Sequence, residues 1–150
     1  MTREEYMALA LQQAQLAANQ DEVPVGAIIV DSESGKIIAQ AYNQSAHQGD
    51  VTAHAEILAI QRACQKLQTN RLWNMDMYVT LEPCTMCAAA ISFARIGHLY
   101  IGAADEKGGA VMNGVKFYEA PTCHHRPQWE DGICAQECGQ ILKDFFQQKR

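Results

Sequence analysis

Two short strings constrain this chain more than anything else in it: His54-Ala55-Glu56 and, roughly thirty residues later, Pro83-Cys84-Thr85-Met86-Cys87. One imidazole and two thiols at this spacing form a metal-ligand set, and Glu56 adds a carboxylate that need not be a ligand. For three such donors to reach one ion, the fold must bring two separate segments side by side. A His, Cys, Cys set suits Zn²⁺ and leaves one tetrahedral position open, which marks a catalytic rather than a structural site.

Local chemistry supports that convergence. Pro83 fits the first position of a helix, where its missing N–H costs nothing. Cys84 and Cys87 then fall in the first turn, where the helix dipole and free N–H groups favour thiolates, and their i,i+3 spacing puts both sulfurs on one face. His54 opens a helix of its own, with Thr52 as candidate N-cap. The two helix starts are expected to meet at one end of a sheet. One difficulty stands: along an ideal helix His54 and Glu56 would point about 200° apart, so the first turn must face the site end-on. The rival readings are a structural zinc half-site, which wants a fourth ligand, and a redox Cys pair, which has no need of His54.

The rest of the chain reads as a frame for this corner. Its 150 residues fit one domain, 1–150, and 48% hydrophobic with 19% charged residues is ordinary for a globular protein. The start carries acids and no apolar core segment, so no export signal is expected. No apolar run approaches membrane-spanning length, which points to the cytoplasm. The net charge of −5 argues against sequence-blind nucleic-acid binding through a basic surface. A local basic edge remains, from Arg126, Lys143, Lys149 and Arg150.

Thr2-x-x-Glu5 is a capping box for a helix over 3–19. Apolar runs at 25–30 and 36–42 form an antiparallel pair turned by Asp31-Ser32-Glu33-Ser34-Gly35, and 43–51 is a polar loop. A helix over 54–67, a strand over 77–81, a helix over 84–95 and a strand over 99–103 follow. Residues 105–129, broken by glycines and prolines, are irregular with room for a short helix and a strand. A last amphipathic helix carries Cys138, Ile141, Leu142, Phe145 and Phe146. Strands alternating with helices imply an α/β domain with helices on both faces of a mixed sheet.

The H-x-E…P-C-x-x-C arrangement resembles the general signature of zinc deaminases acting on nucleobases. From about Met7 onward the chain resembles the bacterial tRNA adenosine deaminases (TadA type) of the cytidine deaminase superfamily. The residues that carry the likeness include Asp21-Glu22-Val23-Pro24-Val25-Gly26-Ala27, Thr52-Ala53-His54-Ala55-Glu56, Tyr78 to Cys87, Ser92-x-x-Arg95-Ile96, Gly102-Ala103-x-Asp105, His125-Arg126, Gly132-Ile133 and Phe145-Phe146.

The resemblance implies a three-layer α/β/α cytidine-deaminase-like fold around a five-stranded mixed sheet, one Zn²⁺ per subunit and a homodimer. It implies deamination of adenosine to inosine at the wobble position of a tRNA anticodon stem-loop. His54, Cys84 and Cys87 would bind zinc, and Glu56 would shuttle protons. Asn43 and the Ala55 N–H would hold the flipped base, with Asp105 and Phe145 near the bound loop. The chain departs from the family's usual pattern at Asp50-Val51-Thr52, at Gly109 to Gly114 and at Cys123-His124, all around substrate-contacting loops. Deamination of free guanine or cytosine by the same zinc chemistry is the alternative.

Plainer readings stand beside these. Asn43 and Asp105 can serve as turn residues, and Cys64, Trp73 and Trp129 as packing residues. The basic C-terminal residues can be a solvated face. Phe145 and Phe146 cannot both face the core, so one belongs near the ligand or a partner. Cys123, Cys134 and Cys138 with His124 and His125 leave room for a second metal site.

Overall fold

A computed structural model describes residues 1–149, so Arg150 of the expected basic edge lies outside it. The first helix, α1 (Arg3–Asn19), starts at the capping box: Thr2 Oγ1 accepts the Glu5 N–H at 3.1 Å while Glu5 Oε1 accepts the Thr2 N–H at 3.0 Å. Then come β1 (Gly26–Asp31), β2 (Ile37–Tyr42), a single turn α2 (Ser45–Gln48), α3 (Ala55–Leu67), β3 (Met75–Leu81), α4 (Thr85–Ala94) and β4 (His98–Ala103). A 3₁₀ turn at Phe117–Glu119, β5 (Gln128–Glu130) and α5 (Ala135–Gln148) complete the chain.

The five strands form one mixed sheet in the order β2-β1-β3-β4-β5. β1 runs antiparallel to both neighbours, and β3, β4 and β5 are mutually parallel. β1 is buried along nearly its whole length, which is why it reads as a continuous apolar run rather than an alternation. Its Ala27 and Ile29 face a core built with Leu58, Ala59 and Ala63 of α3 and Ala88 and Ile91 of α4. Its Ile28 and Val30 face the other side, against Tyr6, Met7 and Ala10 of α1 and Cys138 of α5. Helices thus cover both faces, the expected three-layer α/β/α architecture. Burying one large aliphatic side chain on either face is worth about 1.5–3 kcal/mol. Contact is tight where α1 crosses β1: a Cβ on Gly26 would overlap the backbone of Ala10.

Because β2 and β3 both oppose β1, they run the same way as β4. The residues that follow β2, β3 and β4, namely Asn43, Glu82 and Asp105, therefore all emerge at one edge of the sheet, where β1 begins. This is the edge at which open α/β sheets bind ligands.

Several sequence expectations are corrected. Cys84 is the N-cap of α4 rather than a residue of its first turn, so Pro83 precedes the cap and is not the first helical residue. His54, not Thr52, caps α3, while Thr52 turns back onto Asp50 Oδ1 through its N–H and hydroxyl. The polar loop contains α2, and β3 starts two residues earlier than its apolar pattern suggests. Trp73 and Trp129 lie at the sheet margins, 55% and 41% exposed, Trp129 on the edge strand β5 and Trp73 edge-on against His125. The additional metal site is not assembled: Cys123 lies in the core under α3 and α4, and Cys138 lies in the core on the opposite face. Cys134 reaches towards the Glu4 carbonyl instead.

Candidate active site

The two helix starts meet. His54 Nδ1 lies 3.7 Å from Cys84 Sγ and 3.6 Å from Cys87 Sγ, and the three donor atoms fall within 4.8 Å of one another. Tetrahedral zinc, with Zn–S near 2.3 Å and Zn–N near 2.0–2.1 Å, would space such a nitrogen and sulfur about 3.6 Å apart, so the donor set fits the ion in type and spacing. Among the described residues no other three His, Cys, Asp or Glu donors come together in this way.

The caps explain how the donors converge. His54 and Cys84 are both extended (φ −75°, ψ 155° and φ −71°, ψ 176°), and neither side chain makes a capping hydrogen bond. Each gives its carbonyl to the first helical bond, to Leu58 N and Ala88 N respectively, and turns its side chain to the cluster. Since His54 stands outside α3, the angle expected between ideal helix positions does not apply, and Glu56, in the first turn, faces the same space.

The donors at this corner shift one another's proton affinity. A hydrogen bond from the Cys87 thiol, opposed by burial and aided by His54, brings Cys84 down to about 4. Cys87, beside Cys84 and fully buried, is pushed far up. A hydrogen bond with Cys84 raises His54. A coordinated divalent ion would deprotonate both thiols outright. Glu56 is 4% exposed, and burial pushes it up to about 7, with Cys84 adding to the shift. That is a suitable poise for accepting and returning a proton near neutral pH.

These groups open onto a cavity of about 280 Å³ whose walls include Asn43, His54, Ala55, Glu56, Cys84 and Asp105. The sequence reasoning therefore placed six of its candidates around one space, with Cys87 buried behind Cys84. Asn43 donates through Nδ2 to the Val23 carbonyl at 3.2 Å and accepts the Ser45 N–H on Oδ1 at 3.2 Å. It is both a turn residue and a cavity residue, with one amide hydrogen and one lone pair to spare. Asp105 turns its own loop, accepting the Lys107 and Gly108 N–H groups on Oδ1.

Phe145 is not among the cavity walls. It is buried, stacked edge-on with Phe146, which is 48% exposed. The end of α5 is tied beside the cavity by an ion pair between Lys149 and Asp21, two residues before the wall residue Val23. Arg126 is structural, donating to the Tyr118 and Ala120 carbonyls.

Two buried carboxylates escaped the sequence reasoning as site residues. Glu22, 2% exposed, accepts the N–H groups of Ala46 and His47 and contacts His47 Nδ1 at 2.7 Å, fixing α2 and with it the Asn43–Ser45 wall. Glu82, also 2% exposed, sits inside the loop 105–114. In both, burial alone would raise the carboxyl, but the N–H groups aimed at the oxygens hold it below the ordinary value. Their only signal in the sequence is an acid in a connecting segment without a local partner, Glu22 between α1 and β1 and Glu82 just after β3.

Comparison with known proteins agrees with this geometry. The family model for the MafB19-like deaminases matches residues 1–150. The chain is 53% identical to a tRNA-specific adenosine deaminase of Agrobacterium fabrum, over 99% of this chain and 96% of that protein. It is 39% identical to one of Bacillus subtilis, over 100% and 92% respectively. A solved structure from work on A-to-I editing by tRNA:A34 deaminases at the wobble position superposes with a TM-score of 0.90 at 54% identity, covering 93% of this chain and 100% of that one. A guanine deaminase of Bacillus subtilis is more distant, with a TM-score of 0.67 at 28% identity over 99% and 94%.

Proposed function

This chain belongs to the MafB19-like deaminase family, in its TadA-type tRNA adenosine deaminase branch, and on that premise we propose that it hydrolyses adenosine to inosine at the wobble position of a tRNA anticodon loop. The observation that carries the reading is the His54, Cys84, Cys87 donor set opening onto the same cavity as Glu56 and Asn43. One Zn²⁺ per subunit, held by those three residues, would supply a Lewis acid that makes water nucleophilic near neutral pH.

The chain's own groups do the rest. Glu56 takes a proton from the attacking water as the C6–O bond forms and passes it to the ring nitrogen. It then takes the second proton from the new C6 hydroxyl and delivers it to the exocyclic amine, so the C6 carbonyl forms, the C6–N bond breaks and ammonia leaves. The spare amide hydrogen and lone pair of Asn43, together with the Ala55 N–H, hold the edge of the base. A cavity of about 280 Å³ accommodates one extruded base rather than a stacked loop, so the target nucleotide must leave its stack and its neighbours must lie outside. Asp105 stands at that rim. Phe145 acts at one remove, by packing under Lys149, whose ammonium lies 5.4 Å from its ring centre, and so steadying the end of α5 beside the cavity.

We place the enzyme in the cytoplasm with its tRNA, and no helix among the described residues is long and apolar enough to cross a membrane. A homodimer would cover exposed apolar side chains such as Trp73 and Phe93, and sedimentation measurements test for it.

The deciding assay offers an adenosine-wobble stem-loop, adenosine, cytosine and guanine, and follows inosine formation and ammonia release. Stem-loop turnover that falls as salt rises supports the tRNA reading, because phosphate contacts release counterions. Rapid guanine or cytosine turnover with an untouched stem-loop replaces it with the free-base reading and leaves the zinc chemistry intact.

A further inference from the structure

The loop over 105–114 forms one wall of the cavity through Asp105 and Gly108, yet it belongs to no helix or strand. Something must hold it. Glu82 is the last residue before Pro83 and Cys84, and its buried carboxylate lies where this loop closes. Oε1 accepts the Asp105 N–H at 2.9 Å and the Asn113 side-chain amide at 2.8 Å. Oε2 accepts the backbone N–H groups of Val111, Met112 and Asn113 at 3.0, 2.9 and 3.0 Å. A carboxylate offers about four lone-pair positions, so five donors saturate it. No acceptor is left for a substrate proton, which removes Glu82 as a second acid or base despite its place in the cavity wall.

The loop in turn is shaped to the carboxylate. A Cβ on Gly109 would overlap the Glu82 carboxyl group, and Gly114 turns the chain at φ +57° with no room against Gly109. The Ala110 N–H donates to the Pro83 carbonyl at 2.9 Å, so the wall is fastened directly to the segment that delivers Cys84. A glycine-bearing loop wrapped around one charged group has a single arrangement only while the charge is there.

We propose that Glu82 is a positioning residue for the substrate: it fixes the Asp105–Gly108 wall, and so sets how tightly the target nucleotide and its neighbours are held, without taking part in proton transfer. This rests on the deaminase reading given above. In Glu82→Gln the amide oxygen can still satisfy the three N–H groups at the Oε2 position. The new NH₂ then confronts the Asp105 N–H, and no side-chain flip repairs that clash. The damage therefore falls on the residue that lines the cavity. Gly109→Ala reaches the same contact from the loop side and leaves the carboxylate in place.

The test compares wild type, Glu82→Gln, Gly109→Ala and the double variant, all loaded with zinc. Hydrogen exchange at Asp105 and 111–113 should accelerate in each single variant while zinc content stays stoichiometric. On the stem-loop, KM should rise about tenfold or more with kcat within about threefold, the pattern of lost uniform binding. The double variant should be no worse than the weaker single one, because both break one contact. Unchanged exchange overturns the proposal, and so does faster exchange with KM unchanged. A fall in kcat at constant KM, or activity lost in step with zinc, also overturns it, by making Glu82 chemical or merely a support for the ligands. Wild-type silence on the stem-loop defeats the tRNA reading alone. The KM comparison then moves to whichever of guanine or cytosine the wild type turns over, and silence on all three defeats both.

Discussion

The corner that gathers His54, Cys84 and Cys87 is made of helix starts, whereas the facing walls of the same cavity are loop backbone folded around two buried carboxylates, Glu22 and Glu82. In the corner, α3 and α4 fix three donors suited to a cation, and the thiols and imidazole shift one another's proton affinity. The loops are the reverse. Their carboxylates are satisfied by backbone N–H groups without any ion, but the backbone has no regular structure apart from the single turn α2. Chemistry that must tolerate charge change is thus mounted on rigid elements. Recognition of a particular nucleotide is left to segments that a few buried contacts can reshape. Perturbing the metal should disable the corner and spare the loops, and perturbing the carboxylates should do the opposite.

Removing the metal gives the largest expected effect. Cys87→Ala, or prolonged chelation of wild type, should abolish turnover, since two remaining ligands hold zinc weakly. Hydrogen exchange at 105–113 should remain slow, because the Glu82 contacts need no ion. Loss of that protection on demetallation would show that the two regions are a single unit and break the contrast.

Glu56→Ala comes next. General acid–base catalysis of this kind is worth about 10²–10⁴ in rate, and kcat should fall by at least that range, because one carboxylate serves both proton transfers. Zinc content and the unfolding midpoint should stay close to wild type, since the native carboxyl is buried at a cost. Deaminase turnover surviving in this variant would remove Glu56 from the mechanism.

The same contrast explains what could be read in advance. The donor corner was legible because its three candidate ligands obey local rules: i,i+3 spacing, a proline before the thiols, a His-x-Glu at a helix start. Only the caps were misassigned, since extended caps and first-turn residues differ by one residue in sequence and by the whole direction of a side chain in space. The strands and helices around the core were legible from periodicity. Glu82 was not legible because its partners lie 23 to 31 residues downstream, beyond any spacing rule. Glu22 likewise reaches 24 and 25 residues ahead. Phe145 and Phe146 could be split into one buried and one exposed ring from helical geometry, but which was which depends on how α5 rolls onto β4. The alternative of a second metal site fell for a related reason: proximity in sequence between Cys123 and Cys138 says nothing about the sheet that runs between them.

The smallest and most specific effect concerns Glu22, the carboxylate on the opposite wall from Glu82. Its folded carboxyl lies below the ordinary value of 4.5, because the N–H groups of His47 and Ala46 and the His47 ring outweigh burial. A group depressed in this way stabilises the fold above its unfolded pKa and loses that contribution as pH falls through the lower folded value. Glu22→Gln keeps an acceptor for one N–H but gives up the charge-assisted contacts. It should cost about 1–2 kcal/mol near pH 7, tempered by the half-exposed His47 ring. The difference from wild type should then shrink steadily as pH falls below about 4, as wild-type Glu22 itself becomes protonated. Denaturant unfolding at a series of pH values, with both proteins carrying zinc, reads this directly. A gap that stays constant down to low pH would mean that Glu22 acts through shape alone, and that the charge logic assigned to the loops holds only at Glu82. A gap that closes as expected, with exchange accelerating at Ala46 and His47 but not at 105–113, would show that each wall is held by its own carboxylate and can be altered separately from the metal corner.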